Sequence, residues 1–246
     1  MIPEFAVSAR ELRRNFGAFT AVDGISFDVR PGEIFGFLGA NGAGKTTAIR
    51  MLCGLLPPTS GSATVAGYDI GRQVHQVKGA IGYMSQRFSL YDDISVGENI
   101  EFYGGVYGLS RAAIAAKSET LLADLGLSDQ RNLLTKSLPL GWKQRLALGT
   151  ALLHEPSIIF LDEPTGGVDP ISRRRFWRII YELAEKGTTV FVTTHYMDEA
   201  EYCNRISIMH QGAIVALGSP TALKQEYGLG TVQDVFVRLI TGSTDR

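Results

Sequence analysis

Cysteine is scarce in this chain: Cys53 and Cys203 are its only two. Two thiols cannot make a disulfide framework of any size, and neither sits in a metal-ligand spacing. Two free thiols in a reducing compartment are expected. An excess of one charge is missing too. The net charge is -1, so no global basic field argues for nucleic acid. No apolar run approaches the ~20 residues that a membrane span requires. The opening Met1-Ile2-Pro3-Glu4-Phe5 lacks the basic n-region and apolar h-region of a signal peptide. Internal repeats, low-complexity segments, a coiled-coil insertion, a basic tract and a cysteine cluster are likewise absent. A cytosolic protein is expected, and any work at a membrane needs spans from another chain. What remains is 246 residues, 45% hydrophobic and 20% charged, enough for one large domain or two small ones with a real core.

The most informative stretch is Gly39-Ala40-Asn41-Gly42-Ala43-Gly44-Lys45-Thr46-Thr47. It matches G-x-x-x-x-G-K-[S/T] in full, a phosphate-binding loop. A strand-length apolar run, Glu33 to Leu38, precedes it, and Ala48 to Cys53 can start a helix after it. Glycines let the backbone curl so that successive N–H groups point at one centre, and the helix N-terminus adds its positive end. Lys45 supplies a full charge and Thr46 a hydroxyl that can ligate magnesium. Gly39, Asn41, Gly42, Ala43, Gly44, Lys45, Thr46 and Thr47 are therefore the candidate phosphate-binding residues.

Around the loop, residues 6 to 35 alternate as strands: Ile25, Phe27 and Val29 face one way, Ser26, Asp28 and Arg30 the other. Asp23-Gly24 and Pro31-Gly32 read as turns between them. Pro57 to Gly61 is a turn-rich patch and Thr64 to Tyr68 a short strand, so an antiparallel element brackets the loop. Ile81 to Met84 reads as a buried strand ending at Gln86. From Ser95 to about Ala151 the apolar spacing is helical. Ser157 to Leu161 and Thr188 to Thr194 read as buried strands, with an amphipathic helix from Arg173 to Lys186 between them. A short helix from Asp198, a hairpin about Gln211-Gly212, and a helical remainder with a frayed tail complete the chain. Alternating buried strands and helices argue for a mainly parallel α/β core. The strand at Ile158 ends in Asp162 and Glu163, aimed at the ligand crevice of such a sheet. Asp162 is expected to hold magnesium and Glu163 to reach the attacking water.

Asp162-Glu163-Pro164-Thr165, Gly167-Val168-Asp169-Pro170 and the strand ending Thr193-Thr194-His195 closely resemble the nucleotide-binding subunit of ABC transporters, in the family's order over nearly the whole chain. The resemblance implies a P-loop NTPase fold: a RecA-like core with an antiparallel β subdomain (1–86 and 152–217), a helical subdomain (87–151) and a C-terminal helical segment (218–246). It implies that Phe16 stacks on adenine, Gln86 senses magnesium, and His195 contacts the γ-phosphate. Thr46, Gln86 and Asp162 would position magnesium, Lys45 would span the β- and γ-phosphates, and Glu163 would be the general base. Two such domains would sandwich two ATP molecules, with Asp169 communicating across the dimer and Pro139 and Gly141 facing the partner's ATP. A transmembrane permease would dock near Gln86, Phe88, Leu90 and Tyr91, placing the protein at the inner face of the membrane. Val232 to Phe236 and the compact length look most like bacterial drug or polysaccharide exporters. His75, His154 and His210 match nothing and are taken as structural.

The chain departs from the family at its signature. The usual Leu-Ser-Gly-Gly-Gln reads here Leu138-Pro139-Leu140-Gly141-Trp142, followed by the well-matched Lys143-Gln144-Arg145. Pro139 removes the serine hydroxyl that donates to the γ-phosphate, though proline suits a first helical turn. Gly166 stands where serine is common. A regulatory ATP-binding module with low turnover, half of a tandem ATPase, and a soluble ABC ATPase unconnected with transport are the alternatives.

Overall fold

A computed structural model describes residues 4–86 and 89–241. In chain order the elements are β1 (Val7–Phe16), β2 (Phe19–Val29), β3 (Ile34–Leu38), α1 (Lys45–Leu52), β4 (Ser60–Val65), β5 (Tyr68–Asp69), α2 (Val74–Ala80), β6 (Ile81–Met84), α3 (Val96–Val106), α4 (Arg111–Asp124), α5 (Leu140–Leu152), β7 (Ile158–Asp162), α6 (Pro170–Glu185), β8 (Thr189–Thr194), β9 (Arg205–His210), β10 (Ala213–Gly218), α7 (Pro220–Tyr227) and α8 (Val232–Thr241). An antiparallel sheet runs β2-β1-β4-β5 and a larger sheet β10-β9-β3-β8-β7-β6. In the larger sheet β6, β7, β8, β3 and β9 are parallel, and β10 joins the edge as the antiparallel partner of β9.

β3, β7 and β8 are buried at every position, as apolar runs covered on both faces must be. Strand alternation still divides their side chains. Phe35, Phe37 and Phe191 meet Phe27 of β2, and Phe160 joins the same cluster through Phe191, with ring centroids 5.1 to 6.2 Å apart. Ile34, Leu38, Ile159, Leu161, Val190 and Val192 point the other way, onto Phe176, Trp177 and Ile180 of α6. A buried phenylalanine of this kind costs about 3–5 kcal/mol when truncated, so the aromatic cluster is what joins the two sheets into one body. A third apolar cluster, with Val96, Ile100, Leu122, Leu125 and Leu146, lies among α3, α4 and α5.

Several local expectations are corrected. Asp23-Gly24 is no turn between strands but lies inside β2. Leu12 pairs with Ile25 and Arg14 with Val22, so the pair is absorbed as a bulge opposite Arg13. The chain reverses instead at Gly17-Ala18, which brings Phe16 opposite Phe19. Thr64 to Tyr68 is not one strand: Ala66 and Gly67 have φ of 51° and 81° and form the tight turn from β4 into β5. α6 begins at Pro170, ahead of Arg173, because the Asp169 carboxylate caps it. The short α2 was not anticipated, since Val77 is its one buried residue and it carries no apolar stripe. The short helix expected from Asp198 is a 3-10 stretch that starts one residue earlier, Met197–Tyr202. Residues 242–246, the expected frayed tail, and Phe88 of the expected docking groove lie outside the described residues.

Candidate active site

β3 delivers the chain into the Gly39 to Gly44 loop, and α1 starts directly at Lys45. Two glycines are obligatory by geometry. At Gly39 a Cβ would lie 2.6 Å from the Met209 carbonyl, and at Gly44, where φ is +102°, 2.4 Å from the Ala21 carbonyl. Gly44 is also the N-cap of α1 and no side chain caps that end, so its first N–H groups face the loop's hollow.

Lys45 Nζ donates to the carbonyls of Gly39 at 2.8 Å and Ala40 at 3.1 Å and pairs with Glu163 Oε1 at 3.2 Å. Asp162, the last residue of β7, accepts from Thr46 Oγ1 at 3.0 Å and Thr193 Oγ1 at 2.8 Å through its Oδ1. Burial pushes its carboxyl above the usual range; the two hydroxyls pull the other way, and the Glu163 charge adds to the rise. Glu163 follows with φ at +49°, an uncommon conformation for a side-chain-bearing residue. Its N–H is held by Thr193 Oγ1 at 2.9 Å. Its Oε2 accepts from Gln86 Nε2 at 3.1 Å and lies 3.0 Å from His195 Nδ1. The turn puts the carboxylate at the centre of a ring of Lys45, Gln86 and His195.

The sequence thus anticipates the grouping of Lys45, Thr46, Gln86, Asp162, Glu163 and His195. It does not single out Thr193, which bonds both acids: a threonine at the end of a β-branched strand carries no distinguishing signal. Asn41, Gly42, Gly44 and Thr47 line a cleft of about 350 Å³ together with Phe16, Phe19, Ala21, Gln86 and Glu163. Phe16 is no core residue but 47% exposed, and Phe19, unremarked in the sequence, is 63% exposed beside it. Gly39 and Ala43 are buried and shape the loop from behind.

Other expected site residues stand apart from this cleft. Asp169 caps α6, its Oδ1 accepting from the N–H groups of Ile171 and Ser172, both at 3.0 Å. The Ser172 side chain, foremost, and these N–H groups hold its carboxyl below the usual range. Gly141 opens α5 against α6, where a Cβ would lie 2.6 Å from Ser172 Oγ. Pro139 is the N-cap of α5, one position earlier than the first-turn placement expected, and no side chain caps the helix there. Its carbonyl accepts from the N–H groups of Trp142 and Lys143. Gln144 ties α5 to the turn after Glu163 through Nε2 to the Pro164 carbonyl at 2.9 Å.

The family profile described as ABC transporter matches residues 22–166, more than half of the chain. The chain belongs to the ABC transporter family. It is an ATP-binding domain of that family, whose members are ATPases. Over 242 residues it is 48% identical to the probable multidrug ABC transporter ATP-binding protein YbhF of Escherichia coli (strain K12), covering 96% of this chain and 42% of that protein. It is 39% identical over 227 residues to the linearmycin resistance ATP-binding protein LnrL of Bacillus subtilis (strain 168), covering 92% of this chain and 73% of that one. The chain therefore spans well under half of YbhF. Among solved structures, an ATP binding subunit of an ABC transporter superposes with a TM-score of 0.86 at 26% identity, covering 96% of this chain and 99% of the other. The P-loop α/β fold read from the sequence, with its antiparallel sheet and helical part, is the one these ABC domains share.

Proposed function

We propose that this ABC domain binds and hydrolyses Mg-ATP to power export by a partner transmembrane subunit. The observation that carries the reading is the carboxylate of Glu163, held beside the phosphate loop by Lys45, Gln86 and His195 at 3.0 to 3.2 Å. The N–H groups of the loop and α1 cradle the phosphates. An anion there competes with Glu163 for Lys45, and its arrival frees the carboxylate to take a proton from water. His195 and the α1 N-terminus stabilise charge developing on the γ-phosphate.

A divalent cation fits the donors present. Asp162 Oδ1 and Thr46 Oγ1 are hard oxygens 3.0 Å apart. Among the described residues no group of three His, Cys, Asp or Glu side chains could hold a metal, which suits an ion that shares its shell with phosphates and water. Magnesium bound by Thr46, Asp162 and Gln86 would supply Lewis-acid polarisation of the phosphate oxygens. Phe16 would stack on the base.

The division proposed is an α/β core with its β subdomain (1–86 and 152–217), a helical subdomain (87–151) and a C-terminal segment (218–246); the separate apolar cluster among α3, α4 and α5 supports the helical part, while α5 and the C-terminal helices also pack on the core. No helix among the described residues is long and apolar enough to cross a membrane; the proposed permease at the inner face would meet the exposed Tyr91 and neighbouring Leu90. Pro139, Gly141 and Asp169, away from the cleft in their own chain, would serve the ATP of a second ABC domain. The multidrug and linearmycin relatives support export as the direction. One feature favours a second reading, a low-turnover regulatory module: the N-cap of α5 is Pro139, which has no hydroxyl to donate.

The test is Glu163→Gln. The expected result is ATP hydrolysis reduced about 100-fold or more with nucleotide binding retained. Equal hydrolysis by variant and wild type would remove Glu163 from the role of base.

A further inference from the structure

Arg14 and Phe16 stand on the same face of β1, as strand alternation requires. The guanidinium carbon of Arg14 lies 4.7 Å from the centroid of the Phe16 ring, within cation–π range. Arg14 Nη1 donates to the Pro57 carbonyl at 2.7 Å. Two further bonds fasten this strand end to the same loop: Asn15 N–H to Thr59 Oγ1 at 3.0 Å, and Thr59 N–H to the Arg13 carbonyl at 2.8 Å. The Nε of Arg14 is buried and has no hydrogen-bond partner. The guanidinium thus has two anchors, the Nη1 bond to Pro57 and the face of the Phe16 ring. Phe16 lines the nucleotide cleft and Arg14 does not, so the cation backs the ring from outside the cleft. Phe19, across the turn, lines the same cleft with no cation over its ring among the described residues.

An exposed phenylalanine at a hairpin end has several rotamers open to it, and a ligand that needs one of them must pay for the ordering. A guanidinium pinned behind the ring removes part of that cost before the ligand arrives. We propose that Arg14 is a positioning residue for nucleobase binding: tethered to Pro57, it holds the Phe16 ring so that its opposite face is preset to stack on a purine. The proposal rests on the reading that Phe16 stacks on adenine.

The test compares ATP with inorganic tripolyphosphate, which has the phosphates and no base. Dissociation constants are measured by calorimetry on the full chain for the wild type, Phe16→Ala, Arg14→Met and the double variant, with melting curves to confirm folding. Phe16→Ala should weaken ATP binding by roughly tenfold, as lost stacking does, and leave tripolyphosphate unchanged. Arg14→Met should weaken ATP about two- to fivefold, the scale of an exposed cation–π contact, again with tripolyphosphate unchanged. The double variant should bind ATP no more weakly than Phe16→Ala alone. Arg14→Lys, which keeps the charge and loses the planar fork, should fall between wild type and Arg14→Met, and it carries the test if Arg14→Met melts early. Wild-type ATP affinity in Arg14→Met beside a weakened Phe16→Ala overturns the role of Arg14 alone. Equal loss of ATP and tripolyphosphate in the Arg14 variants overturns it as well, since a base-positioning residue does not act on the phosphates. Unchanged ATP affinity in Phe16→Ala overturns the stacking reading and the proposal with it.

Discussion

Lys45 Nζ and Glu163 Oε1 lie 3.2 Å apart, with 4% and 8% of the two side chains exposed. A pair this deeply buried is costly to break from one side, because the remaining charge loses its partner. Lys45→Met should cost about 2–3 kcal/mol of stability, less than for an isolated pair, since Gln86 and His195 also serve the carboxylate. Adding Glu163→Gln to Lys45→Met should recover part of the loss. Urea unfolding of the two single variants and the double one checks this; strictly additive losses would mean that the two charges are not coupled.

Pro139→Ser should act on stability and turnover separately. Serine at the N-cap of α5 can accept from a first-turn N–H and should stabilise the chain by about 1 kcal/mol. If the hydroxyl also donates to the partner's nucleotide, phosphate release should rise about tenfold or more, the worth of a hydrogen bond to a charged group. Nucleotide binding to the monomer should not change. A gain in stability without a gain in rate would show that Gly141 and the N–H groups of α5 suffice.

His154 supplies a pH dependence. Its Nε2 lies 2.9 Å from the Ile81 carbonyl and its ring stacks on Tyr107 at 3.7 Å. Burial pushes its pKa below the usual value; the Ile81 bond opposes this and Lys117 adds to it. As the pH falls through about 6.5, the unfolded chain takes up a proton that the folded chain resists, so stability drops. Urea midpoints at pH 7.5 and 5.5 should fall further in wild type than in His154→Gln. Parallel losses would assign the acid sensitivity to other groups.

Gly44→Ala and Gly42→Ala should differ, although both glycines have positive φ. A Cβ at Gly42 meets nothing within 4 Å, whereas one at Gly44 lies 2.4 Å from the Ala21 carbonyl. Gly42→Ala bears only the backbone strain of about 1–3 kcal/mol. Gly44→Ala must also push two backbones apart, and ATP binding should fall by a further tenfold at least. Calorimetric titration of both variants decides it, and equal affinities would show that the loop yields without cost.

Asp162, Glu163 and the Gly39 to Thr47 loop were legible because each lies within a few residues of a local pattern. Gly39 to Thr47 and Asp162-Glu163 follow buried strands, and a strand end fixes where the next side chains go. Thr193 was not legible, because its bonds to Asp162 and to the N–H of Glu163 depend on β7 and β8 lying in register. Phe19 was hidden for a related reason. Asp23-Gly24 reads as a turn, and only the pairing of β1 with β2 shows it to be a bulge and moves the reversal to Gly17-Ala18. The first-turn placement of Pro139 failed by one residue, the distance between a helix's cap and its first turn.

The contact between Ala21 and Gly44 bears on how such domains can be recombined. Ala21 lies in β2, two residues beyond Phe19, and its carbonyl also stands against Gly212 of the β9–β10 turn. Gly212 in turn bonds back to Ala43 and to Asp23. The antiparallel sheet, the phosphate loop and that distant hairpin are thus cut to one another's shape. A chimera that grafts a relative's β1–β2 hairpin onto this chain brings a foreign wall to Gly44. Transplanted segments should therefore run from β1 through α1 as one piece and take the matching hairpin with them.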